Sequence, residues 1–176
     1  MGFVNAHFVA YSTDLGATAV QGAYALATVG VAGLAGGLTF GVLGDRFGRR
    51  PLLSVAYGMR VIGYGVLLLA SSLPIAILGI VIIGSSWTSV ISLTGTVTSD
   101  EFGLRRLGTI YGTMFMVMPL GASSSVWLAG RIYDTNGNYD LAMWISLGMA
   151  LIAAVAIAMP STGLARKLWP QTPQTW

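Results

Sequence analysis

The sequence has no cysteine. That excludes disulfides and cysteine-based metal sites, and leaves the redox compartment open. It has a single histidine, His7, which argues against a histidine-cluster metal centre. No metal or other cofactor is expected. Charge is also scarce: 9% of the 176 residues are charged and 55% are hydrophobic, with a mean hydropathy of +0.75. A water-soluble domain carries about a quarter charged residues. Too little polar side chain is present to coat a globule, so the solvent for most of the surface is expected to be lipid. The net charge of +3 is small and lies on one side of the predicted topology, so nucleic acid is not an expected partner. The start, MGFVNAHFVAYSTD, lacks the basic n-region of a cleavable signal peptide. Ala6 stands where N-myristoylation prefers Ser or Thr.

What is present is apolar length. Five runs, Ala17–Leu43, Leu52–Ala70, Ile75–Val97, Leu107–Ala129 and Leu141–Met159, each reach about 19 residues or more, enough to cross roughly 30 Å of hydrocarbon as a helix. Backbone groups in lipid must be satisfied internally, which favours helices over loops. A sixth run, Gly2–Thr13, covers only roughly 18 Å and reads as the outer half of a spanning helix. The predicted fold is an all-α membrane protein, a six-helix transmembrane bundle whose first helix is truncated. Links are expected at Ser12–Gly16, Gly44–Pro51, Ser71–Pro74, Thr98–Arg106 and Arg131–Asp140. Asp14 and Asp140 are expected to be helix N-caps, with an outer-gate or coupling carboxylate as the other reading of Asp14.

Orientation is read from Lys and Arg in the links. Arg46, Arg49, Arg50, Arg105, Arg106, Arg166 and Lys167 fall on one side, and Arg131 alone on the other. The first side is therefore expected to be cytoplasmic, including the C-terminus. The stretch GVLGDRFGRRP (41–51) holds four of the chain's nine basic and six acidic side chains, after a run from 15 to 44 with none. Gly41 and Gly44 suit close backbone approach, and Gly48 suits a positive φ in a tight turn. Arg49 and Arg50 suit an anionic leaflet. Asp45 suits a facing helix N-terminus or an arginine. A positive-inside hairpin accounts for the arginines, but requires neither the aspartate nor the glycines.

This stretch resembles the loop signature of the major facilitator superfamily, G-x-L-x-D-R-x-G-R-R. HFVAYSTDLG (7–16), DEFGLRRLGTIYG (100–112) and LAGRIYDTNGNYD (128–140) are similar to the second half of bacterial members that resemble monocarboxylate transporters. The resemblance implies that residues 1–160 form the C-terminal half of a twelve-helix fold, entered midway through that half's first helix, with 161–176 as a cytoplasmic tail. It implies a multi-pass protein of the bacterial inner membrane that is not an enzyme. Its expected function is secondary transport of a small organic solute, a monocarboxylate among the candidates, by alternating access coupled to protons. The partners implied are the solute, the proton, the bilayer, and the missing N-terminal half or a second chain. Gly41, Asp45, Arg46, Gly48, Arg49 and Arg50 would form a conformational latch. Two other readings are weighed: an inactive truncated fragment, or half-transporter needing a partner chain, and, far weaker, an intramembrane serine hydrolase using Ser85 or Ser86 with His7.

In the family the first, second, fourth and fifth helices of each half line the cavity. His7 is then a substrate or proton-relay candidate, or else a packed neutral histidine. Tyr11 shares its face. Asn5 is the weaker candidate. Gln21, Tyr24 and Thr28 could form a polar stripe, toward the cavity or between helices. Trp87 is a cavity wall or a core residue, amid Ser85, Ser86, Ser89 and Ser92. Tyr111, Met114 and Met118 share a face that suits an adaptable wall or simple packing. Gly33, Gly37 and Gly41 read as one close-packing face. Arg60, roughly 13 Å into its segment, costs about 2.5 to 3.5 kcal/mol to insert. It reads as a snorkelling or ion-paired arginine, or as a counter-ion for a carboxylate. One departure from the family is that Ala17–Leu43 and Leu107–Ala129 contain no basic residue, where relatives that carry organic anions often do.

Overall fold

A computed structural model describes residues 2–159; the expected tail with Arg166 and Lys167 lies outside them. Six helices follow in order: α1 (Gly2–Asp14), α2 (Ala19–Phe47), α3 (Arg49–Leu68), α4 (Leu73–Phe102), α5 (Leu104–Asn136) and α6 (Asp140–Ala158). No strand occurs among the described residues. The five helices α2 to α6 are long and apolar enough to cross a membrane; α1 has 13 residues. The predicted all-α bundle is therefore what forms.

The boundaries differ from those expected. The link predicted at 44–51 shrinks to Gly48, and that at 98–106 to Gly103. Hydropathy falls where the chain leaves lipid, but a helix ends only where its backbone turns. Gly48 (φ 91°) and Gly103 (φ 78°) do that in a region that side chains with a Cβ avoid. Pro51 and Pro74 do not interrupt their helices, since each stands in a first turn whose N–H groups have no intrahelical partner. Asp14 is not an N-cap but the last residue of α1. The turn through Leu15–Ala17 intervenes, and Thr18 caps α2 instead. The Gln21 amide donates to Thr18 Oγ1 at 3.2 Å and the Thr18 amide to Gln21 Oε1 at 2.9 Å. Asp140 is likewise the first helical residue rather than the cap; Tyr139 holds the cap position, and the Asp140 amide donates to Asn138 Oδ1 at 3.3 Å.

Helix α4 is the hub, packing most extensively on α2 and α3, while α3 packs on α6. Apolar side chains gain little by leaving lipid for a neighbour, so contact depends on close fit. At the α2–α4 crossing, a Cβ on Gly36 would overlap the Ser85 backbone. Gly33 and Gly37 lie against Thr88, and Gly84 against the Val29 backbone. Gly41, expected on this face, has open space around it. Each step of four residues overshoots a helical turn by about 40°, so two steps from Gly33 leave the face. Gly36 and Gly44 occupy the seam instead, both buried.

Two buried clusters result. One joins all six helices around Phe3, Phe8, Tyr11, Tyr64, Ile80, Ile132, Tyr139 and Met143. The other joins Phe40, Leu53, Ala56, Val90 and Leu93 nearer the arginine-rich end. Helix α5 is the outlier: residues 112–124 are exposed throughout.

Replacing Gly36 by Ala should destabilise the chain by about 1–3 kcal/mol through overpacking. Gly41→Ala should be neutral or stabilising by up to about 1 kcal/mol, since it removes a flexible residue from an open helical site. Thermal unfolding of the purified variants in detergent separates the two; equal losses would contradict the crossing described.

Candidate functional site

The arginine-rich end is built from four helix termini. Gly48 reverses the chain so that Arg49 and Arg50 open α3 beside the last turn of α4. Arg49 Nη1 donates to both oxygens of Asp100, at 2.9 and 3.2 Å, and Nη2 reaches Asp45 Oδ1 at 3.5 Å. Arg50 donates from Nη1 to Glu101 Oε1 at 3.1 Å, from Nε to the Ile157 carbonyl at 3.2 Å, and from Nη2 to the Met159 carbonyl at 2.8 Å. Arg50 thereby satisfies carbonyls at the C-terminus of α6, where a cation is also favoured by the helix dipole. Arg49 ties α2 and α4 to α3, and Arg50 ties α4 and α6 to α3.

The two arginines are about equally exposed, at 37% and 33%, but their acidic partners differ. The Arg50–Glu101 side chains are 33% and 30% exposed, whereas Asp45 is 75% exposed and only loosely held. Exposed pairs are screened and exchange readily with water. The lattice thus has a fixed part, the Arg49–Asp100 and Arg50–Glu101 pairs, and a releasable part at Asp45, which is held only by one 3.5 Å contact. Arg46 is exposed, with its guanidinium 5.6 Å from the Phe47 ring; Gly41 faces outward. The sequence places DEFGLRR at this end but does not by itself pair Asp100 and Glu101 with the two arginines. The available signal was two adjacent acids in one arginine-bearing link, facing two adjacent arginines in another.

His7 lies at the other end of the molecule's chemistry. The Val126 carbonyl, 3.0 Å from Nε2, can only accept, so Nε2 carries the proton; Nδ1 then accepts from the Tyr139 hydroxyl at 3.3 Å. Phe3 stacks on the imidazole at 6.1 Å. Tyr139 stacks in turn on Tyr133 at 4.4 Å, and Tyr133 donates to Asp14 Oδ1 at 3.2 Å. Burial, reinforced by Tyr133, Asp14 and Asp134, raises the Tyr139 phenol above its ordinary pKa, so it remains a proton donor to His7. Tyr11 donates to the Leu67 carbonyl at 2.8 Å. Both His7 nitrogens and the Tyr11 hydroxyl are thus engaged within the bundle, an arrangement that favours the packing reading.

The other candidates are dispersed. Gln21 spends its side chain in the α2 cap. Tyr24 is 73% exposed, and Thr28 donates to the Ala25 carbonyl of its own helix. No hydrogen bond or ring contact joins these three to the His7 cluster among the described residues. Ser85, Ser86 and Ser89 each donate to a carbonyl of α4. Met114 and Met118 do share a face: with Thr109, Ile110, Thr113 and Val117 they line an open apolar groove of about 610 Å³ on α5. Trp87 lies beside Arg60, which has no ion-pair partner among the described residues, contrary to one expectation. Its Nε instead donates to Ser86 Oγ at 3.3 Å, with the guanidinium over the Tyr57 and Trp87 rings.

Comparison with known proteins adds independent findings. A family model described as Major Facilitator Superfamily matches residues 1–173. The chain is 28% identical over 172 residues to YcxA of Bacillus subtilis, named an uncharacterized MFS-type transporter; the match covers 91% of this chain and 40% of that protein. It is 27% identical over 150 residues to human monocarboxylate transporter 12, covering 83% of this chain and 29% of that protein. It is 33% identical over 151 residues to a chloramphenicol resistance protein of Pseudomonas aeruginosa, covering 78% and 31%. The chain therefore spans two fifths or less of the length of these relatives. No solved structure matches.

Two outcomes follow from the geometry. His7→Ala leaves the Tyr139 hydroxyl without its acceptor and takes the second donor from the Val126 carbonyl, and should cost about 1–3 kcal/mol, whereas His7→Gln, which keeps a donor and an acceptor, should recover part of it. Arg50→Ala should lower the thermal midpoint clearly more than Arg46→Ala, because it removes an ion pair to Glu101 and the donors to two carbonyls. Melting curves in detergent check both.

Proposed function

The chain belongs to the Major Facilitator Superfamily, and from that premise we propose that it supplies one six-helix half of a secondary transporter for a small organic solute. The solute moves by alternating access, in which two halves rock about a midplane site. Similarity to a protein named monocarboxylate transporter 12 puts monocarboxylates first among the candidates; the proton is kept as the coupling ion implied by the sequence resemblance. Alternating access needs the other six-helix half of the fold, whichever chain carries it, or a second copy of this bundle in its place; by itself this half is inactive. The exposed central faces of α2 and α5 are the surfaces that such a partner would cover. In this reading the arginine-rich end is cytoplasmic, as expected from the positive-inside rule, and the membrane is a bacterial inner membrane.

The observation that carries the proposal is the α2–α3 turn. GVLGDRFGRRP there holds a divided ion lattice, with Arg50 anchored to Glu101 and two carbonyls while Asp45 stays exposed. A latch needs that division, since one part must hold while another engages and releases an opposing surface. Asp45→Asn, in an assembly with both halves present, should slow interconversion between inward and outward states by more than it weakens solute binding. Proteoliposome uptake under an imposed proton gradient, beside equilibrium binding, measures the two. Equal losses would count against the latch, and accumulation unaffected by an uncoupler would count against proton coupling. Because the sequence lacks cysteine, single cysteines at Phe47 and Asn138 report sidedness directly. An impermeant maleimide should label only the second in right-side-out vesicles.

A further inference from the structure

The arginine-rich end turns Arg49 and Arg50 inward. Expected at an anionic leaflet, they bind Asp100, Glu101 and two carbonyls of the α6 end instead. Arg46 and Arg105 are left over. Both are exposed, and neither has an ion pair or hydrogen bond among the described residues. Each stands beside a large apolar side chain that is exposed as well: Phe47, at 63%, follows Arg46, and Leu104, at 66%, precedes Arg105. The Arg46 guanidinium lies 5.6 Å from the Phe47 ring centroid. Each pair abuts a one-residue reversal, Phe47 at Gly48 and Leu104 at Gly103. The Arg49–Asp100 bonds tie the start of α3 to the end of α4, so the two reversals are held side by side and present both pairs at one end of the bundle.

A bare Phe and Leu are costly in water and favoured at the boundary between headgroups and acyl chains, where arginine beside Phe or Leu is the usual composition. A guanidinium fork matches a phosphate. We propose that Arg46–Phe47 and Leu104–Arg105 form a two-pronged docking surface for anionic phospholipid, with headgroup phosphates on the guanidinium groups and the Phe and Leu set into the acyl boundary. Charge agrees with this occupant. The links at the other end hold Asp14, Asp134 and Asp140 against Arg131 alone, so only the arginine-rich end suits an anionic leaflet. The opposite half of the fold would cover the central faces of α2 and α5, whereas these pairs lie at the ends of those helices. An acidic protein would have to supply an apolar pocket beside each anion at both reversals; a leaflet supplies both layers at one fixed depth. Arg46 directly follows Asp45, so the leaflet restrains the same reversal that carries the releasable contact. The inference needs the membrane reading of the helices and not the transport one.

The test titrates phosphatidylglycerol onto the purified full chain in detergent and counts bound lipid by native mass spectrometry, with phosphatidylcholine of the same acyl chains in parallel. The unaltered chain should prefer phosphatidylglycerol. Arg46→Gln and Arg105→Gln should each weaken it by about 5-fold and the double variant by roughly 30-fold, with phosphatidylcholine unchanged. Phe47→Ser with Leu104→Ser should weaken both lipids alike, and Arg131→Gln should leave the preference intact. Equal affinity for the two lipids would overturn the proposal and turn attention to an acidic protein partner. Undiminished phosphatidylglycerol binding in the double variant, or an equal loss in Arg131→Gln, would overturn it too. Displacement of the lipid by soluble glycerol phosphate would assign the arginines to free phosphate and overturn the lipid surface. Should the double variant fail to fold, the two single variants decide, and unchanged affinity in both overturns it.

Discussion

The bundle hangs on one contact, the crossing of α2 over α4 where Gly36 meets the backbone of Ser85. In lipid, burying an apolar side chain against another helix gains little, because the tails outside are as apolar as the neighbour. Dispersion and backbone proximity must hold the helices together, and both fall steeply with distance. Gly33, Gly37 and Gly84 extend the approach along the same seam, and Gly63 repeats it where α3 passes Gly79 of α4. With α2 and α3 both drawn to α4, the arginine-bearing start of α3 comes beside the acidic end of α4. The charged lattice is therefore a product of the glycine crossings, as well as a brace upon them.

Charge is distributed with the same economy. Acidic residues sit near the helix ends, where water or an arginine can reach them, and two of them close the Arg49 and Arg50 bonds. The polar groups deeper in the bundle are mostly hydroxyls that return their protons to a carbonyl of their own helix, as Ser85, Ser86 and Ser89 do. Such groups cost little in lipid because nothing is left unpaired. Arg60 departs from that rule. His7, the other ionisable group inside the bundle, obeys it, with both nitrogens engaged.

Several features were legible in the residues because they depend on local chemistry. The apolar runs gave the number and order of helices, since 19 or more such residues have few other fates. The positive φ at Gly48 followed from a glycine set within a short charged turn. Helix ends were not legible, because water solvates Asp45, Arg46 and Asp100 equally well in helix or loop. Gly41 was assigned to the wrong side because a four-residue repeat drifts around a helix of 3.6 residues per turn. The α4 partners of Arg49, Arg50 and Arg60, which are Asp100, Glu101 and Ser86, were hidden for a different reason: they lie 26 to 51 positions away in sequence, and only the crossing of α3 and α4 brings them together.

The reversals at Gly48 and Gly103 are each a single residue long, and this limits how the gene can change. One inserted residue at Gly48 would rotate everything after it by about 100° and advance it by 1.5 Å. Arg49 would swing off Asp100 while Leu53 left its cluster. The opposite end has slack, with several residues between α1 and α2 and again between α3 and α4. Insertions and deletions should accumulate at that end during divergence, leaving the arginine-rich reversals fixed in length even where their letters drift.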